Sequence, residues 1–109
     1  MPSSDHRRVI VRYKVKPDRV AENEALVRAV YDELHRTEPA GLRYATFRLD
    51  DGVSFVHVAE TDDGVNPLTE VEAFARFQEG ISERCDEPPV VTALDPIGSY
   101  RFHGDESVR

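Results

Sequence analysis

Leu42-Arg-Tyr-Ala-Thr-Phe-Arg-Leu-Asp50 and Val53-Ser-Phe-Val-His-Val-Ala-Glu-Thr61 are separated by Asp51-Gly52. Each stretch alternates with a period of two, the pattern of a half-buried strand. An Asp-Gly pair between alternating runs is a strong hairpin signal. A two- or four-residue loop here opposes Arg48 to Phe55, Thr46 to His57 and Tyr44 to Ala59 on one face. On the other face Phe47 meets Val56, Ala45 meets Val58 and Leu49 meets Ser54, with Arg43 and Glu60 as a cross-strand charge pair. One face is aliphatic and the other mixed and polar.

Upstream, Val9-Ile-Val-Arg-Tyr-Lys-Val15 reads as a first strand, with Val9, Val11, Tyr13 and Val15 on one face and Ile10, Arg12 and Lys14 on the other. Lys16-Pro17-Asp18 stops it, and Asp18 is a candidate N-cap. From there to about Thr37, Val20, Val27, Val30, Tyr31 and Leu34 fall at helical spacing, and Pro39-Ala-Gly41 ends the helix. Downstream, Asp62 to Pro67 is a loop and Thr69-x-x-Glu72 has the spacing of a capping box. Val71, Phe74, Phe77 or Gln78, and Ile81 carry a second helix to about Arg84, closed off by Pro88-Pro89. Val90 to Phe102 is the last extended stretch, bent at Pro96 and Gly98.

The order is strand, helix, strand, strand, helix, strand. Two right-handed crossovers then give an α+β, ferredoxin-like βαββαβ sandwich: a four-stranded antiparallel sheet with both helices on one face. The expected domain is single and spans residues 8–103, with flexible termini at 1–7 and 104–109. Nothing in the chain is left to cover the second sheet face, which by this reading carries Ile10, Arg12, Lys14, Tyr44, Thr46, Arg48, Phe55, His57 and Ala59. A second copy of the same sheet is the simplest cover, so the expected state is a homodimer closing into an α/β barrel.

Composition narrows the partners. Among 109 residues, 14 Lys and Arg stand against 21 Asp and Glu, a formal net charge of -7, which argues against nucleic-acid and anionic-membrane partners. The lone Cys85 excludes an intrachain disulfide and a multi-cysteine zinc site. The start, Met1 to Arg8, has charges but no apolar stretch follows, and no run approaches the roughly 18 apolar residues of a spanning helix. The expectation is a cytoplasmic protein.

Val9-Ile-Val-Arg-Tyr-Lys-Val-Lys-Pro17, Phe55-Val-His-Val-Ala-Glu60 and Phe74-Ala-Arg-Phe-Gln78 carry a resemblance to the dimeric α/β-barrel superfamily, and within it to the antibiotic-biosynthesis-monooxygenase-like group. The resemblance covers about residues 8–102. It implies a homodimer with one small-molecule pocket per subunit, between sheet and helices or within the barrel. Some members oxidise phenolic or quinol-like polyketides with no metal or flavin; others degrade haem, isomerise small lactones or have no demonstrated chemistry. The chain departs from the better understood members in having no Trp, and Asn only at 23 and 66.

His57 is the candidate catalytic base, because an imidazole with a pKa near ~6.5 suits removal of a phenolic or carbon-bound proton. The alternative is a neutral imidazole hydrogen-bonded to Thr46 or a partner carbonyl. Arg12 and Arg48 are candidates for holding a substrate anion, against pairing with acids; Tyr44 and Phe55 are candidate aromatic walls, and Thr46 is a further candidate substrate-binding residue. The histidines show no ligand spacing, so no metal and no cofactor are expected. Two functions stand: a cofactor-independent monooxygenase of a small aromatic or polyketide-like ligand, or a non-catalytic ligand-binding or assembly module of the same fold.

Overall fold

A computed structural model describes residues 7–62 and 66–102. The expectations for residues 1–6 and 103–109 lie outside the described residues, and Arg7, expected in the loose terminus, already belongs to the first strand. Strand β1 covers Arg7–Val15, helix α1 Val20–Thr37, strands β2 and β3 Leu42–Arg48 and Ser54–Thr61. Helices α2 and α3 cover Glu72–Gln78 and Ile81–Arg84, and strand β4 covers Cys85–Ala93. The strands form one antiparallel sheet in the order β2-β3-β1-β4, the ferredoxin-like arrangement. Among the described residues no helix is long and apolar enough to cross a membrane.

The β2–β3 register is the one expected: Thr46 faces His57, Tyr44 faces Ala59 and Arg43 faces Glu60. The loop between them is tied by Asp51, whose Oδ1 accepts the Val53 and Ser54 amides at 2.9 and 2.8 Å, and Gly52 supplies the positive φ of +82°.

The face assignment is corrected. In β1, Val11 lies opposite His57 and Tyr13 opposite Phe55, so His57 shares a face with Val11 and Tyr13. That face is the covered one. Asn23 of α1 bonds Tyr13, Tyr31 of α1 bonds Thr46, and Phe77 of α2 lies 5.3 Å from the His57 ring centroid. The open face instead carries Ile10, Arg12, Ala45, Phe47, Val56 and Val58. Hairpin pairing fixes the parity of β2 against β3 but says nothing about β1. The sequence reading joined aliphatic sides and put them under the helices. The real pairing puts the aromatic and polar side there, because Tyr13 stacks on Phe55 at 5.6 Å and carries a hydroxyl that finds partners.

Three boundaries also differ. The chain enters α1 through a 3₁₀ turn at Pro17–Arg19, so Asp18 does not cap it. Thr69 and Glu72 do not form a capping box: Thr69 Oγ1 donates to the Asn66 carbonyl, and a 3₁₀ turn spans Pro67–Glu70. The first amides of α2 are capped from another helix, with Glu33 accepting from Glu72 and Ala73 at 3.2 and 2.9 Å. The last strand starts at Cys85 and runs through Pro88-Pro89. Prolines lack a donor, and they are accommodated here because β4 is an edge strand whose register slips between Arg12 and Lys14.

The expected single second helix is broken at Gly80, which has φ +75°. A Cβ there meets nothing within 4 Å, so the obstacle to a side chain is conformational. Gly80→Ala is expected to cost about 1 kcal/mol in denaturant unfolding, the penalty of the left-handed region; an unchanged midpoint contradicts this account of the break.

Candidate functional site

A cavity of about 430 Å³ opens between the sheet and the α2–α3 segment. That size suits a small organic molecule. Val11, Ala59 and Val91 line it from the sheet, and Leu68, Phe74 and Ile81 from the opposite side. Successive same-face residues of β3 place His57, Ala59 and Thr61 along it, and Tyr44 enters from β2. The Thr61 hydroxyl is buried with no hydrogen-bond partner among the described residues.

His57 is 4% exposed, and both ring nitrogens are engaged. Nε2 lies 2.8 Å from the Tyr13 hydroxyl. Nδ1 lies 2.6 Å from the Tyr44 hydroxyl and 3.3 Å from Thr46 Oγ1. Tyr13 in turn accepts a hydrogen bond from Asn23 Nδ2 at 3.0 Å, and Asn23 Oδ1 accepts one from Arg84 Nε at 3.2 Å. Arg84 is 2% exposed and donates one hydrogen bond from each of Nη1 and Nη2, to the carbonyls of Glu79 and Phe77 at the end of α2. At the far end the Tyr31 hydroxyl meets Thr46 at 2.8 Å. A buried polar column thus runs from Arg84 through the sheet-facing side chains to Tyr31.

Burial sets the ionisation states along it. Desolvation lowers the His57 pKa to about 4 and raises those of Tyr13, Tyr44 and Tyr31. At neutral pH the imidazole and all three phenols are therefore uncharged. Burial likewise raises the Cys85 thiol, which stays protonated and has no character of a nucleophile. Among the described residues no three or more His, Cys, Asp or Glu side chains come together as a metal site.

Of the residues singled out from the sequence, His57, Tyr44 and Thr46 converge. Phe55 sits one same-face step along β3, buried against Tyr13, and lines a second cavity of about 240 Å³ beneath α1. Arg48 borders that second cavity and is ion-paired with Glu24 of α1. Arg12 is exposed on the opposite sheet face, across from Val56, and is not brought to His57. The sequence reading missed Tyr13, Asn23 and Arg84. Asn23 did leave a signal: it interrupts the apolar stripe of Val20, Val27 and Val30 at the same helical spacing. Arg84, at a helix end, left none.

The His57 shift has a sign that can be checked. The unfolded chain takes up a proton near pH 6.5 that the folded chain refuses until about pH 4. Stability from this group is therefore full above pH 6.5 and falls by about 3 kcal/mol as pH drops through that window. Denaturant unfolding between pH 7 and 4.5 should show this slope in the wild type and lose it in His57→Gln. Equal slopes in the two proteins contradict a neutral buried imidazole.

No family model matches the chain, and no curated protein matches it. Solved structures do. A protein from Nitrosomonas europaea, named as an antibiotic biosynthesis monooxygenase, superposes with a TM-score of 0.69 at 18% identity, over 85% of this chain and 91% of its own. One so named from Caulobacter crescentus gives 0.69 at 18%, over 86% and 92%. Another, from Bordetella bronchiseptica, gives 0.61 at 19%, over 85% and 98%. At such identities the likeness speaks for the fold. The chain has the ferredoxin-like fold of the antibiotic biosynthesis monooxygenase-like proteins.

Proposed function

We propose that the chain binds a small aromatic or polyketide-like molecule in the cavity beside α2 and oxidises it with dioxygen without a cofactor. The observation that carries this reading is an apolar cavity of about 430 Å³ whose polar groups include the linked hydroxyl and imidazole of Tyr44 and His57. The names of the solved neighbours agree with it. In this chemistry a phenol or enolisable ketone loses a proton and the anion passes one electron to dioxygen. The substrate radical and superoxide then join through a new C–O bond. Protonation gives a hydroperoxide, and loss of water leaves a carbonyl, so one oxygen atom ends in the product and the other in water.

His57 stays at the centre of the proposal, with a changed role. Moving a proton from a phenol of pKa ~10 to an imidazole of pKa about 4 costs about 8 kcal/mol in the resting site. Stabilising the substrate anion demands less: His57 holds the Tyr44 hydroxyl, which lines the cavity, and acts on the substrate through it. A hydrogen bond aimed at the developing charge in a dry pocket favours its formation, and the proton leaves to water at the cavity mouth. Arg12 and Arg48 are not needed for this role. Tyr44 contacts the substrate, Thr46 borders the second cavity and bonds Tyr31 and His57 instead, and Phe55 backs Tyr13.

The second reading, a ligand-binding module without chemistry, is favoured by the fact that both His57 nitrogens already hold hydrogen-bond partners. Oxygen uptake with a panel of quinols and anthrones, without added metal, separates the two. The oxygenase reading expects uptake that falls at least tenfold in His57→Ala. Thermal stabilisation by the same compounds with no uptake supports the module and overturns the oxygenase.

The homodimer is part of this proposal. Phe47 and Val90, 52% and 62% exposed, stand on or beside the uncovered aliphatic face, and a second copy of that face would bury them. Sedimentation should give a dimer for the wild type and a monomer for Phe47→Glu. A wild-type protomer that stays single at micromolar concentration contradicts it.

A further inference from the structure

A guanidinium has N–H groups and no acceptor. The atom of Asn23 that faces Arg84 Nε at 3.2 Å must therefore be its oxygen. The other end of that amide is then a donor, and it gives to the Tyr13 oxygen at 3.0 Å. Turning the amide over would set N–H against N–H. Tyr13 keeps one hydrogen, and among the described residues the acceptor within its reach is His57 Nε2 at 2.8 Å, so we assign the donation to Tyr13. A neutral imidazole carries one N–H. With Nε2 accepting, that hydrogen is on Nδ1 and is given to the Tyr44 oxygen at 2.6 Å. Tyr44 is left with its own hydrogen to give, to the neighbouring Thr46 or to a molecule in the cavity it lines.

We propose that Arg84 and Asn23 are positioning residues that lock His57 as its Nδ1–H tautomer, so that the Tyr44 hydroxyl meets the ligand as a hydrogen-bond donor and selects molecules presenting a carbonyl or phenolate oxygen. The ligand half rests on the proposed function; the tautomer half stands on the hydrogen-bond pattern alone. Neither Arg84 nor Asn23 lines the cavity, and both act through Tyr13 and His57. A uniform direction of donation also gives the column a sense. Each member hands a hydrogen towards the cavity, which supports an anion there and opposes removal of a proton through Nδ1.

Asn23→Asp tests the lock with almost no change of shape. A carboxylate only accepts, so it keeps Arg84 as donor and now takes the Tyr13 hydrogen. The Tyr13 oxygen must then accept from His57, which requires Nε2–H, and Nδ1 becomes the acceptor of Tyr44. Two-bond proton–nitrogen correlation spectra of the histidine rings, with His57 assigned by its loss in His57→Gln, read the tautomer directly. The expected result is a protonated Nδ1 in the wild type and a protonated Nε2 in Asn23→Asp. A wild-type spectrum with Nε2 protonated overturns the proposal even if the variant does not fold. An unchanged tautomer in a folded Asn23→Asp overturns the role of Asn23. With 4-nitrophenol as probe, the bound phenol should ionise at lower pH on the wild type than on the variant, seen by its absorbance. Equal ionisation on both overturns the donor assignment of Tyr44. No binding by either, with the tautomers as stated, speaks against the proposed function and leaves the lock supported.

Discussion

A buried cation that can only donate hydrogen bonds dictates the polarity of everything it touches. Arg84 is among the largest fully buried side chains described, and its donors satisfy the Phe77 and Glu79 carbonyls as well as Asn23. One side chain thus pins the end of α2 to α1 and, through Tyr13 and His57, to β1 and β3. Its partners at hydrogen-bond distance are neutral, and the Phe77 ring lies 5.3 Å from its guanidinium carbon. Such a charge is tolerated only while its hydrogen bonds are made, because unmade ones carry the full desolvation penalty. The column is consequently a fixed part of the fold. A ligand meets donors and acceptors whose directions are already set.

Strand parity places that column. Tyr13, Phe55, His57, Tyr44 and Thr46 share the sheet face that the helices cover, while Ile10, Ala45, Phe47, Val56 and Val58 face outwards. The aromatic rings make the covered face bulky: Tyr44 packs on Tyr31 at 5.4 Å and meets Phe74 edge-on at 6.4 Å. Helix α2 is short and ends before Gly80, so its cover is incomplete and the cavity opens beside it. The site and the uncovered face are therefore on opposite sides of one sheet. A pocket on one side and the proposed association surface on the other can be altered independently.

Much of this was legible beforehand. The Asp51-Gly52 turn and the flanking alternation specify the β2–β3 register residue by residue, because a period of two leaves no choice once the loop is placed. The stripe of α1 and the element order specify the topology. The parity of β1 was not legible, since its pairing with β3 is non-local and both of its faces carry apolar residues. That one unknown moved His57, Tyr44 and Thr46 to the wrong side of the sheet while leaving their mutual placement right. The cap of α2 was hidden for a similar reason: Glu33 lies far away in sequence, and a local Thr–Glu pattern imitated it. Pro88-Pro89 looked like a barrier because a strand edge that needs no donor is not visible until the sheet order is known.

The central claim is that the ligand site lies on the helix-covered face. Methyl-labelled protein titrated with 1-naphthol tests it most directly by nuclear magnetic resonance. The account predicts shifts at Val11, Ala59, Leu68 and Ile81, which line the cavity, with Ile10, Ala45, Val56 and Val58 unmoved. Shifts confined to the second set, or none at saturating 1-naphthol, contradict it.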